Sequence, residues 1–393
     1  MRTPDPVTSP QPFARIWPQV LLVAVLFFMN YVARCALSPV LAPMEASLGV
    51  GHAQVTSLLM VQGVGFAVSQ SLAGFCCGLL PPRRVAALSL LASGMCLVGV
   101  YATGSLGTAS LLFFGVGLSC GLYFPAGMAL LGDLVRADDW GKAMGLHEMA
   151  PNMGFILLPL LAEATAWLCG WKSLFLLLGG TSMLLAGLFL LLGQGGHSPT
   201  ARPSFAGCTR LLGTPAAWAA MLVMCVALCG EFSVFSILQL FLVGERAYSP
   251  ENANLVLSLS RLATPLGVIL GGWLADRHSA HAVLRACLVI HAASLAAMSC
   301  CTGPLLYAAC AAQAVSIATL FPALFKQLAL LYPLRLQPIA LSLILPPAGF
   351  SANALMPWLL GVCGQYWSFG AGFVALAGAS LAGALCLRAL RSQ

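Results

Sequence analysis

The stretch SLFLLLGGTSMLLAGLFLLLGQGGHSPTARPSF, residues 173–205, sets two kinds of chain side by side. Its first part, 173–193, carries no charged side chain. At a rise of about 1.5 Å per residue, such a run crosses a hydrocarbon core of about 30 Å as one helix. Its second part is rich in Gly, Pro and polar residues, the composition of a flexible connection. A lipid-spanning helix followed by a polar linker is the unit from which the rest of the chain is read.

Working outward, apolar windows recur at about 17–38, 54–78, 85–104, 109–131, 143–165 and 173–193 before the linker. After it they recur at about 216–242, 253–275, 283–301, 304–330, 339–362 and 369–388. Lipid offers the backbone no hydrogen-bond partner, so only helices or closed barrels cross it, and these runs are too long and too uniformly apolar for barrel strands. Composition agrees. Hydrophobic residues make up 60% of the chain and charged residues 7%, against roughly 25% charged in soluble domains. The expected fold is an all-α membrane protein with twelve transmembrane helices in two pseudo-symmetric six-helix bundles. The expected division is a tail at 1–16, a bundle at 17–193, a linker at 194–215, a second bundle at 216–388 and a tail at 389–393.

Loop charges orient the bundle. With the N-terminus inside, Arg15, Arg83, Arg84, Arg136, Lys142, Arg277 and Arg285 fall in cytoplasmic segments, while the outer loops receive only Lys172 and Arg246. Both termini are therefore expected in the cytoplasm, in the plasma membrane, or the inner membrane of a bacterium. Residues 1–15 are polar and proline-rich with no apolar core, so no secretory signal is expected and the first span is retained. The cysteines lie in apolar runs without zinc spacing and read as small helix residues, so no metal and no cofactor is expected. The formal charge of +7 is scattered between spans, which gives no surface for nucleic acid.

The halves repeat at an offset of 197–198 residues. Phe124-Pro125-Ala126 matches Phe321-Pro322-Ala323, Gly74 matches Gly272, and Pro159 matches Pro357. Duplicated bundles suit alternating access, in which a site between two lobes faces either side as they rock. The segment GGWLADRHSAH, 271–281, is similar to the loop signature Gly-x-Leu-Ala-Asp-Arg-x-Gly-Arg-Arg of the major facilitator superfamily, and the resemblance covers nearly the whole chain. The first-half copy, GFCCGLLPPRR, keeps Gly74, Arg83 and Arg84 but has Gly78 where the acid belongs. The resemblance implies a cytoplasmic gate built from Asp276 and Arg277, with Asp133, Arg136, Arg83 and Arg84 as further charges. MNYVARCALSPVLAPM, from Met29, resembles the first span of that family's organic-anion and organophosphate transporters.

In a chain this poor in charge, ions inside spans are informative, because each costs roughly 2.5–3.5 kcal/mol near a bilayer centre. Arg34, Glu231 and Arg261 are expected to point into a polar cavity. Ideal helical spacing predicts one stripe through Asn30, Arg34 and Ser38 and another through Glu231, Phe235 and Gln239, with Ser258 one turn before Arg261. Guanidinium groups match carboxylates and phosphates through paired charge-assisted bonds. Two arginines against one acid therefore point to a small organic anion as substrate. Glu231 is the candidate for proton coupling, with a static ion pair as the competing role. Tyr123, Glu148 and Asn152 complete the candidate substrate contacts. The segment HEMAPNMGFILLP, from His147, is similar to the antiporter signature Gly-Pro-x-x-Gly-Gly but departs from it at Ala150-Pro151 and Gly154-Phe155. Lys326 is expected to snorkel to the cytoplasm and His291 to be a packed helix residue.

The leading expectation is a secondary active transporter, acting as a monomer in the lipid bilayer, that moves a small anion with protons as coupling ion. The alternative is efflux of a drug or amphipathic metabolite by proton antiport. A non-transporting membrane sensor is the remaining reading. No HExxH, GxSxG or paired catalytic carboxylates occur in the spans, so no enzymatic role is expected.

Overall fold

The computed structural model describes residues 10–196, 214–332 and 337–387. The expected C-terminal tail, most of the expected linker and residues 1–9 of the N-terminal tail lie outside them. Among the described residues, 12 helices are long and apolar enough to cross a membrane. They are α1 (Phe13–Leu48), α2 (His52–Ala73), α3 (Pro82–Ala102), α4 (Leu106–Leu134), α5 (Trp140–Cys169) and α6 (Ser173–Leu192). The second set is α7 (Pro215–Arg246), α8 (Pro250–Arg277), α9 (Ala280–Cys300), α10 (Gly303–Leu331), α11 (Leu343–Tyr366) and α12 (Phe369–Cys386).

Helix ends follow local chemistry. Ser105, Thr214, Ser249, Ser279 and Ser368 cap α4, α7, α8, α9 and α12 with side-chain oxygens that accept from the third amide onward. Proline opens α3, α7 and α8, where its missing N–H is no loss. The first span runs past its expected end near residue 38. After Cys35 the chain makes a 3-10 turn at Ser38–Val40 and continues as a helix over Leu41–Leu48, which Gly49 terminates at φ 64°.

The chain divides into two compact units, Met1–Leu37 with Val61–Ser204 and Ser38–Met60 with Phe205–Gln393. In the first, α3 and α6 approach closely because both carry glycine at the crossing. A Cβ on Gly94 or on Gly179 would stand 2.7 Å from the other's carbonyl oxygen. In the second, Leu284, Leu288, Leu320 and Leu324 on α9 and α10 form the middle of a continuous apolar core. Residues 38–60 follow the first span in sequence yet sort with the second unit. Buried polar contacts explain this: Asn254 donates to the Pro39 carbonyl at 2.9 Å, and the Gln239 amide oxygen accepts from the Ala42 N–H at 3.0 Å.

Candidate functional site

The second unit brings Glu231 and Arg261 together where two helices depart from α geometry. In α8, Pro265 has no N–H to give the Arg261 carbonyl, so the helix breaks after Arg261 and the Thr264 hydroxyl donates to that carbonyl at 2.7 Å. In α7, Cys229–Ser233 forms a π-helical turn, an insertion that redirects carbonyls from the regular ladder. Two of them are claimed by side chains. The Gln313 amide donates to Gly230 O at 2.8 Å, and Arg261 Nη2 donates to Glu231 O at 3.0 Å. Arg261 Nη1 donates to Glu231 Oε1 at 2.8 Å, and the two side chains are 3% and 12% exposed. Charge-assisted pairing of this kind offsets much of the penalty for holding ions away from water. A second π turn, Ser351–Leu355 in α11, supplies the Ala352 carbonyl that accepts from Ser233 Oγ at 2.7 Å.

The π turn also corrects the expected stripe on α7, since one extra residue in the turn moves Glu231 out of ideal i, i+4 register with the residues below it. Phe235 still reaches the pair, its ring centroid 5.5 Å from the Arg261 guanidinium carbon. Gln239 does not, being engaged with Ala42. Ser258 is buried one turn before Arg261, with no hydrogen-bond partner for its hydroxyl among the described residues. Sequence reasoning missed Gln313 and gave His291 only a packing role. His291 is fully buried, and its ring lies so close to Gly230 that a Cβ there would stand 2.7 Å from Cε1. The signal that could have found both is a single polar residue deep in an apolar span.

In the first unit, Arg34 lies across two aromatic faces, 5.0 Å from the Tyr31 ring centroid and 4.6 Å from that of Phe66, while Gln62 donates to its carbonyl. The expected stripe on α1 does not form. Helix ends at Cys35 before Ser38 is reached, and Asn30 turns toward α3 and α4, donating to Ser89 Oγ at 3.0 Å and to Cys120 O at 3.3 Å. Tyr123 is fully buried rather than open to a solute. Its hydroxyl donates to Val23 O at 2.7 Å, and its ring stacks at 5.4 Å on Phe27, which stacks at 4.2 Å on the His147 imidazole. Glu148 meets His147 Nδ1 at 3.1 Å with its own side chain 46% exposed, and Asn152 spends its amide on Glu148 O. Asn30, Tyr123 and Asn152 are thus each engaged by neighbours of their own, Ser89 and Cys120, Val23, and Glu148.

The expected gate residues are tied down locally. Asp133 accepts from Gly196 N at 2.9 Å, Arg83 donates through Nη2 to Leu190 O at 2.6 Å, Arg136 reaches Pro10 O at 3.4 Å, and Arg84 is exposed. Asp139, between α4 and α5, accepts from Lys142 Nζ at 2.7 Å and Phe13 N at 2.9 Å. Those two donors, Lys142 foremost, hold its carboxyl below the ordinary carboxylate range. In the second unit Asp276 pairs with Lys326 at 2.8 Å, linking α8 to α10, and Lys326 also donates to Ala275 O at 2.7 Å. Arg277 folds back over Trp273 at 4.5 Å. Lys326 is thus the acid's partner rather than a side chain merely reaching for water.

Comparisons with known proteins agree with this architecture. The family model described as Major Facilitator Superfamily matches residues 23–249 and 220–393. A probable L-galactonate transporter of Escherichia coli (strain K12) is 25% identical over 183 residues, covering 44% of this chain and 38% of the relative. The human voltage-gated purine nucleotide uniporter SLC17A9 is 25% identical over 248 residues, covering 59% of this chain and 56% of that protein. The chain thus spans about half the length of these relatives or less. Among solved structures, a bacterial homolog of the human lysosomal transporter Spinster, inward-facing and occupied, superposes with a TM-score of 0.84 at 14% identity, covering 97% of each chain. The nucleoside transporter NupG superposes with a TM-score of 0.79 at 12% identity, covering 95% of this chain and 100% of that one. A family model matching nearly the whole length shows that this chain, with its twelve candidate spans, belongs to the major facilitator superfamily.

Proposed function

We propose that the chain moves a small organic anion, carboxylate- or phosphate-bearing, by alternating access coupled to protons. The observation that carries this reading is the buried Arg261–Glu231 pair, set where α7 and α8 both leave α geometry. An arriving anion competes with Glu231 for the Arg261 guanidinium. The released carboxylate then binds a proton, so substrate and proton occupy the carrier together. In the first unit, Arg34, its guanidinium over the Tyr31 and Phe66 rings, is a further candidate contact for an anion. The names of the two relatives, a sugar-acid transporter and a nucleotide uniporter, support an anionic substrate. The proposed placement has both termini in the cytoplasm, with Asp276, Arg277, Asp133, Arg136, Arg83 and Arg84 at the cytoplasmic ends of the spans.

The test uses purified protein in liposomes, with a thermal-shift screen of carboxylates and phosphates, L-galactonate included, selecting the probe. Uptake of that probe is expected to rise with an inward proton gradient and to fall at least tenfold in Arg34→Ala and in Arg261→Ala. Glu231→Gln is expected to keep exchange while losing gradient-driven accumulation. Normal uptake by both arginine variants would refute the anion site.

A further inference from the structure

We propose that the second unit carries a specific binding site for an anionic phospholipid on its α8–α9–α10 face, apart from the Arg261–Glu231 pair and beside the expected gate charges Asp276 and Arg277. Two cavities meet there. One, of about 480 Å³, is an apolar groove lined by Leu270, Leu274, Val283, Ile290 and Val315. The other, of about 460 Å³, is polar and lined by Asp276, Ser279, His281, Lys326 and Gln327. His278, at the turn between α8 and α9, lines both. A groove of aliphatic side chains ending in a polar pocket has the form of an acyl chain joined to a headgroup. A soluble anion gains nothing from the groove.

The pocket's chemistry selects the headgroup. The Lys326 ammonium has three protons, of which Ala275 O and Asp276 Oδ1 take two, leaving one to give a phosphate oxygen. The pocket also sits at the N-terminus of α9, whose first amides and dipole favour an anion. Arg285 is exposed one turn beyond His281 on the same face of α9. Arg277 is exposed on the last turn of α8, held over Trp273, and Trp rings favour the headgroup level of a bilayer. Of the charged side chains, Lys326 and its partner Asp276 line the pocket itself, and the exposed Arg285 and Arg277, beyond its lining on α9 and α8, bring an excess of two positive charges to its surroundings. A zwitterionic headgroup with no net charge gains little from that excess, whereas an anionic one gains at each basic group.

The purified full chain in detergent is titrated with phosphatidylglycerol, phosphatidylcholine and glycerol 3-phosphate, and bound lipid is read by native mass spectrometry alongside thermal stability. Phosphatidylglycerol is expected to bind at least tenfold more tightly than phosphatidylcholine. Each basic group near the surface contributes about fivefold, so Lys326→Gln and Arg285→Gln should each weaken phosphatidylglycerol by about fivefold and leave phosphatidylcholine unchanged. Asp276→Asn keeps an amide oxygen for Lys326 Nζ but removes a negative charge, so it should strengthen phosphatidylglycerol by about fivefold. Ala286→Phe, on α9 in the groove, should weaken both lipids. Equal affinity for the two lipids in the unaltered chain overturns the proposal. So do effects of the same sign from Lys326→Gln and Asp276→Asn. Binding of glycerol 3-phosphate as tight as the lipid's, unaffected by Ala286→Phe, would show a free-phosphate site and overturn it as well.

Discussion

Replacing Arg261 by methionine keeps much of the side chain's apolar length while removing the charge and both bonds to Glu231. The Glu231 carboxylate, 12% exposed, is then left without its cation. Breaking one side of a buried ion pair costs about 3–5 kcal/mol, most of it the penalty of the stranded charge. Glu231→Gln is gentler. It keeps an amide oxygen for Arg261 Nη1 and the backbone oxygen for Nη2, so the loss is the charge assistance, about 1–2 kcal/mol. In the double variant no ion is stranded, and the loss should be about 1–3 kcal/mol, less than the sum of the single effects. The cycle thus predicts a coupling energy of about 3–4 kcal/mol between the two positions. Equilibrium unfolding in mixed micelles, with the four variants in parallel, measures it. Additivity within about 0.5 kcal/mol, or an Arg261→Met penalty under about 1 kcal/mol, would refute the buried pair and the transport reading that uses it.

Two further predictions concern local contacts. Gly230→Ala places a methyl 2.7 Å from His291 Cε1. It is expected to cost about 1–3 kcal/mol by overpacking but little in a His291→Ala background, where thermal unfolding midpoints should show the space restored. Asp139 titrates below the ordinary carboxylate range in the folded chain, so its contribution is present above about pH 4, the unfolded value, and is lost as pH falls through the lower folded value. Exchange protection of the Phe13 amide, which donates to Asp139, should therefore fall below about pH 4, and Asp139→Asn should remove that pH dependence. Protection unchanged down to pH 2 would contradict the assigned acceptor.

Hydropathy and length were enough to read the twelve spans. A helix crossing lipid must satisfy its own backbone, so a long uncharged run has one available structure whatever surrounds it. The segment GGWLADRHSAH and the matched Phe-Pro-Ala triplets were legible for a like reason, being local sequence. Arg34, Glu231 and Arg261 also stood out, because a charge inside a span is costly wherever it points.

Direction and partnership were not legible. The stripe reasoning assumed ideal helices, but α1 breaks after Cys35 and α7 inserts a π turn at Cys229–Ser233. Either departure rotates every following side chain by a large fraction of a turn. Glu231 reaches Arg261 because Pro265 breaks α8 and Gln313, 83 residues from Gly230 in sequence, accommodates the π turn. Asn30 and Tyr123 look like cavity residues by type, yet their donors are spent on Ser89, Cys120 and Val23 in neighbouring helices. The sequence by itself determined how many helices cross the membrane and which residues are too polar to face lipid. Only the tertiary structure decided which buried donor meets which acceptor, because that depends on helix irregularities and on neighbours far away along the chain.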